Sequence, residues 1–185
     1  MKQSIAKLII KIIGWKITGH PPENVNKAVI LGAPHTTNWD FIVMIGVIWI
    51  YKLKLKFLIK ADWLKFPFKF FMEGMGAVGV DRSGKKTNLV ENMVDNFKKE
   101  DKFHLVITPE GSRSKVRKWK TGFYKIAMGA NVPILMAYAD YEKKEFGFSP
   151  VYHLSGNFEE DMTHIQNFYS NYKGKFPDQF NSKIF

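Results

Sequence analysis

Two rhythms of apolar residues alternate along this chain. In "MKQSIAKLIIKIIGWKITG", Ile5, Leu8, Ile9 and Ile12 recur at helical spacing while Lys7 and Lys11 mark another face, predicting a basic amphipathic helix that ends near Trp15 and Lys16. "KAVILGAP" is a short apolar run stopped by Gly and Pro, the pattern of a buried strand. "FIVMIGVIWIY", from Phe41 to Tyr51, is apolar all round and predicts a buried helix. "KLKLKFLI" alternates Lys52, Lys54 and Lys56 with Leu53, Leu55 and Phe57, as a strand with one wet face does. "DWLKFPFKFFMEGMG" is aromatic, broken by Pro67, and reads either as a helix on the core or as an exposed greasy lip. Beyond it the rhythm predicts a strand in "AVGVDRSG" and a helix in "KTNLVENMVDNFKKED" with Leu89, Met93 and Phe97 inward. A strand follows in "FHLVITPEGSRS", a helix in "TGFYKIAMGAN" and a strand in "VPILMAYAD". "YEKKEFGFSPVYHLSG" suggests a hairpin or two edge strands, and "EEDMTHIQNFYSNYK" a last helix before a loose tail.

Strands and helices thus alternate from Lys27 to Asp140. That order predicts an α/β single-domain sandwich: a mostly parallel central sheet flanked by helices, plus the N-terminal amphipathic helix. Ligands of such sheets sit beyond the carboxyl ends of the strands. The polar stretches fall there: His35 after the first strand, Arg82 after the third, Glu110 to Ser114 after the fourth.

Composition narrows the class. A chain of 185 residues builds one domain with a real core. It has no cysteine, which excludes disulfides, thiolate metal sites and a Cys nucleophile and fits a reducing compartment. No signal-peptide cleavage pattern follows the N-terminus, and no apolar run reaches the ~20 residues of a spanning helix. The formal charge of +11, from 28 Lys and Arg against 17 Asp and Glu, favours an anionic partner: a phospholipid surface, acyl carrier protein, a phosphorylated substrate or nucleic acid. The N-terminal helix accordingly has two readings, packing on the core or resting on an anionic membrane, and the net charge tips towards the membrane.

The chemistry concentrates in "HTTNWD". His35 and Asp40 are five residues apart, about 140° on one continuous helix, so they share no face of one. The spacing makes sense if a helix begins between them, at Thr36, Thr37 or Asn38, all good N-cap types. Asp40 in the first turn then folds back to the imidazole, fixes its tautomer, and leaves the other ring nitrogen as a base. This is a hydrolase triad without its nucleophile. If a bound substrate hydroxyl takes that place, the dyad is a transferase site; a capping Asp beside a loop His is the plainer alternative.

"TPEGSRSK" adds a Gly-loosened turn, backbone N–H groups and Arg113 at a helix start, a cradle for phosphate. Arg82, in "VGVDRSG", stands on another loop of the same sheet edge. Glu110 is open to several roles: orienting Arg82 or Arg113, accepting from a substrate hydroxyl, or partnering a cap. Arg117 and Lys118 read as a solvated face. "SRSKVRKWK" has the basic and aromatic mix of a nucleic-acid-binding protein, but no helix-turn-helix, zinc-finger or RNP-type pattern accompanies it. Neither Ser83 nor Ser112 sits in a G-x-S-x-G elbow, which argues against a serine hydrolase.

Taken together, the blocks resemble the bacterial glycerolipid acyltransferases, the family of the 1-acyl-glycerol-3-phosphate (lysophosphatidic acid) acyltransferases. "HTTNWD" looks like the H-x-x-x-x-D block, "VGVDRSG" like the arginine block, "PEGSRS" like the E-G-T-R-S block with Ser112 in the threonine position, and "NVPILMAY" like the Val-Pro block. The order and spacing agree over roughly Lys27 to Asp140. The fourth block departs by lacking its usual second proline, which opens a non-phosphate acceptor, such as an aminoacyl lipid or a lipid-linked sugar, as the alternative. With the amphipathic pattern and charge of its start, the chain is expected to divide into an N-terminal membrane-contacting helix over 1–20 and an acyltransferase domain over 21–185. The resemblance implies His35 as the base held by Asp40, and Arg82, Glu110, Gly111, Ser112 and Arg113 on the acceptor head group. It implies acyl-CoA or acyl carrier protein as co-substrate, with no cofactor and no metal. The implied setting is phospholipid biosynthesis, peripheral on the cytoplasmic face of the inner membrane, with a lysophospholipid-like acceptor and no specific nucleic acid.

Overall fold

A computed structural model describes residues 2–21, 24–80 and 88–185. Within these residues seven strands form one sheet: β1 (Lys16–Ile17), β2 (Lys27–Gly32), β3 (Leu55–Lys60), β4 (Ala77–Val80), β5 (Phe103–Ile107), β6 (Ile134–Asp140) and β7 (Glu145–Phe148). Their order is β1-β7-β6-β2-β5-β3-β4, and every pairing is parallel except the β6–β7 hairpin. Among the described residues six α-helices accompany them: α1 (Lys2–Ile12), α2 (Trp39–Tyr51), α3 (Lys69–Gly74), α4 (Leu89–Lys99), α5 (Gly122–Ala130) and α6 (Phe158–Tyr169). The α/β architecture with a mostly parallel sheet and an N-terminal helix is the one the sequence pattern predicts.

The central strands are apolar on both faces because both are covered. In β2, Val29 and Leu31 point to the layer of α4, α5 and α6, whereas Ala28 and Ile30 point to the layer of α2 and α3. Phe97 of α4 meets Phe103 of β5 edge to face at 4.7 Å, and the Lys27 ammonium donates to the Phe97 carbonyl, closing the C-terminal end of α4. Under α6, buried Asp161 accepts from the Tyr124 and Tyr152 hydroxyls and from the Ser155 and Gly156 N–H groups, so its charge is well solvated by protein donors.

Four local readings change. The wet-faced strand starts at Leu55, because Lys52 adopts the left-handed conformation that ends α2 and the chain must first turn. The helix α2 is only partly buried. Val43, Val47 and Ile50 are covered, but Trp39 and Ile42 are exposed, since α1 lies along only part of its outer side. The two-residue strand β1 has no sequence signature of its own; it exists because it pairs with β7. The expected loose tail is tied down: Ile184 is fully buried, its N–H donates to Gln166, and its carbonyl accepts from Trp119.

The N-terminal helix divides its apolar residues between two jobs. Ala6 and Ile10 pack on α2 beside Gly46 and Ile50, and the Gln3 amide caps the Ile50 carbonyl. Ile5, Leu8, Ile9 and Ile12 remain exposed, Ile12 by 73%. The aromatic segment after β3 takes the form of a lip: Trp63, Phe66, Phe68, Phe70 and Phe71 are all exposed, Phe66 by 86%. No described helix is long and apolar enough to cross a membrane.

Candidate active site

The loop from Ala33 to Asn38 joins the carboxyl end of β2 to the start of α2. Asp40 sits in the first turn of that helix and turns back over the loop. Its Oδ2 lies 3.1 Å from His35 Nδ1 and accepts from the N–H groups of Thr36 (2.9 Å) and Thr37 (3.0 Å). The expected cap side chains are not used for this; Asn38 is the N-cap residue and makes no side-chain cap bond. The helix-start carboxylate itself gathers the loop N–H groups. Two backbone donors hold the Asp40 carboxyl in place against Nδ1 of the ring, so His35 presents Nε2 outward.

Glu110, at the turn after β5, is only 5% exposed. Both its carboxyl oxygens accept from the His35 backbone N–H, at 2.9 and 3.2 Å. Burial foremost, and the nearby Asp40 charge, push its carboxyl up to about 8 against the lowering effect of the His35 N–H. Among the described residues its partner is therefore the histidine loop, through the backbone N–H of His35. Gly111 carries φ +63, and a Cβ there would press on the Lys120 side chain at 3.1 Å, so the turn favours glycine. The Ser112 hydroxyl accepts from the Ser114 N–H.

The dyad opens onto a cavity of about 480 Å³. His35, Asp40, Thr108 and Arg113 supply its polar end, and side chains such as Met44, Val47, Phe57 and Ala139 its apolar depth. Trp63, Phe68 and Phe71 line it too, so the lip and the cavity are continuous. Arg113 thus lines the same cavity as His35 and Asp40, whereas Glu110, Gly111 and Ser112 are outside the lining. Arg82 and Ser83 lie outside the described residues. No group of three or more metal-ligating side chains is present among the described residues.

The C-terminal segment completes the site, and nothing in its sequence pattern announces this. Gly174 is buried against Thr36 and Pro34, where a Cβ would stand 2.8 Å from the Thr36 side chain. The Phe176 N–H donates to Thr36 Oγ1. The Gln179 amide, with its nitrogen turned inward, donates to the carbonyls of Arg113 (2.6 Å) and Thr36 (3.1 Å). Asn181 donates to the carbonyls of Val116 and Arg117. The tail therefore stitches the histidine loop to the arginine loop.

A His–Asp dyad, an arginine and an apolar cavity meet at one sheet edge, and residues 16–138 match the model of the Acyltransferase family. The chain belongs to that family, the glycerolipid acyltransferases. The protein is an acyltransferase. The match spans β1 to β6 and so contains the histidine loop, the arginine-bearing turn and most of the cavity wall. The hairpin strand β7, α6 and the stitching tail follow it. No curated protein matches the chain.

Proposed function

We propose that this acyltransferase moves a fatty acyl group from a thioester, acyl-CoA or acyl carrier protein, to the hydroxyl of a lysophospholipid-like acceptor, with 1-acyl-glycerol-3-phosphate first among candidates. The observation that carries this reading is the opening of the His35–Asp40 dyad onto an apolar cavity with Arg113 at its rim. The cavity falls within the ~300–1,000 Å³ of small-molecule sites, and an aliphatic chain suits its lining.

In this mechanism Nε2 of His35 takes the proton of the acceptor hydroxyl as its oxygen attacks the thioester carbonyl. Asp40 stabilises the imidazolium that forms. The tetrahedral intermediate collapses, the carbon–sulfur bond breaks, and the imidazolium returns its proton to the leaving thiolate. Ester and free thiol are the products. Arg113 is placed to hold an acceptor phosphate, with Arg82 as its proposed companion. Glu110 serves the acceptor indirectly, by fixing the His35 backbone.

The same reading places the protein on an anionic membrane, peripheral on the cytoplasmic face of the inner membrane. The exposed stripe of α1 and the aromatic lip support this, because both are large apolar surfaces and the lip borders the cavity mouth. Lys7, Lys11 and Lys16 then meet lipid phosphates at about 1 kcal/mol each.

The test is mass spectrometry of lipids after incubation with acyl-CoA or acyl carrier protein thioesters and a panel of acceptors, phosphorylated and not. A new diacyl product that depends on His35 is expected. Acylation confined to non-phosphate acceptors would refute the phosphate reading, and no acyl transfer to any acceptor would refute the whole.

A further inference from the structure

Asp40 has a second carboxyl oxygen besides the one that faces His35. Oδ1 accepts from the hydroxyl of Tyr141 at 2.6 Å. That is the length of a charge-assisted O–H···O⁻ bond. Tyr141 directly follows β6, beyond the residues that match the family, and 101 positions from its partner.

The phenol is held from three sides. Its ring meets Trp15 edge to face at 4.9 Å. Its backbone N–H donates to the Lys173 carbonyl. Its hydroxyl reaches Asp40. Burial foremost, then the bond to Asp40, raises the Tyr141 hydroxyl above its ordinary value, so it stays a donor throughout the working range.

We infer that Tyr141 is a positioning residue for acyl transfer: by engaging Oδ1 it locks the Asp40 carboxylate so that Oδ2 alone faces His35 Nδ1. A carboxylate with one oxygen free rotates and recruits water, and each rotation weakens the hold on the Nδ1–H tautomer. With Oδ1 bound to Tyr141 and Oδ2 bound to two backbone N–H groups and the ring, rotation breaks every bond at once. The tyrosine touches no reacting atom; it acts through Asp40. Segments far apart in sequence thereby brace the catalytic carboxylate, since Trp15 and Lys173 both hold the tyrosine.

The inference rests on the proposed dyad, so its test has a readout that needs no substrate. In full-length protein with ¹⁵N-labelled histidine, the ring shifts of His35 at pH 9 report which nitrogen carries the proton. Wild type shows the Nδ1–H form. Tyr141→Phe keeps the ring against Trp15 and removes only the hydroxyl; the expected result is a mixture of tautomers. In the acylation assay kcat falls about tenfold, the scale of one hydrogen bond to a charged group, while KM for the acceptor holds. In an Asp40→Asn background the same substitution has no further effect on kcat. Should Tyr141→Phe not fold, Trp15→Leu, which loosens the ring and leaves the hydroxyl, is read the same way. A wild-type His35 signature in the variant overturns the inference, as does an equal loss of kcat in the Asp40→Asn background. A changed signature in a protein that acylates nothing supports the brace and refutes the proposed function instead.

Discussion

Replacing Glu110 by Gln separates the charge of this buried side chain from its hydrogen bond. The amide oxygen of Gln still accepts from the His35 N–H, so the loop keeps its anchor, but nothing ionises. In the native state burial holds the Glu110 carboxyl at about 8, against 4.5 for the same group in the open. Between these two values the folded protein binds a proton that the unfolded chain has lost. Stability that is fully present below pH 4.5 is therefore lost progressively as the pH rises to about 8, where the native carboxyl ionises in turn. From these two values the loss between pH 5.5 and pH 9 is roughly 3 kcal/mol. Glu110→Gln has no such slope. Its stability relative to wild type should rise by that amount across the interval, or ~6–12 °C in Tm for a chain of this size. Differential scanning calorimetry of both proteins at pH 5.5 and pH 9 measures it, and the paired comparison cancels every other titrating group. A Tm difference that is the same at both pH values would refute the buried, proton-retaining carboxyl.

His35→Ala should lower acyl transfer ~10²–10⁴-fold, the worth of a general base, with an unchanged melting curve because the ring is held by one side-chain bond. Gly174→Ala forces a methyl into the Thr36 side chain; a cost of ~1–3 kcal/mol in urea denaturation and a drop in turnover are expected, and wild-type values for both would deny the tail its part in the site. The combined change Ile5→Glu, Leu8→Glu and Ile12→Glu alters exposed positions, so Tm should hold while flotation with anionic liposomes at low salt is lost; undiminished flotation would remove α1 from the membrane-contacting surface.

Much of this molecule was legible along the chain, and the particular residues show why. The apolar run at Lys27 to Gly32 and the Met93–Phe97 spacing are local patterns set by the periods of strand and helix, and each formed as expected. The His35–Asp40 spacing is also local: five residues across a helix start permit one geometry, and the 3.1 Å contact follows. Glu110 was visible as a candidate but not its partner, because the His35 N–H lies 75 positions away and meets it only where β2 pairs with β5. Tyr141 carried no signal at all; an aromatic residue after a strand is ordinary until the β6–β2 pairing sets it beside the helix start. The tail had the polar, proline-broken look of a loose end, and only its docking on Trp119 and Thr36 distinguishes it from one.

The amino-acid sequence by itself determined the alternation of strand and helix, the mostly parallel α/β class, the loop that pairs an imidazole with a carboxylate, and membership of the acyltransferase family. These rest on neighbours within about ten residues, where backbone geometry converts spacing into contact. The tertiary structure alone decided the strand order, the apolar cavity behind the dyad, which isoleucines of α1 face the protein and which face outward, and the bracing of Asp40 and His35 by Tyr141, Glu110 and the tail. The bonds of Glu110 to His35, Tyr141 to Asp40 and Phe176 to Thr36 join residues 75, 101 and 140 positions apart, and spacing along the chain carries no information about which of many distant partners a strand will lie beside.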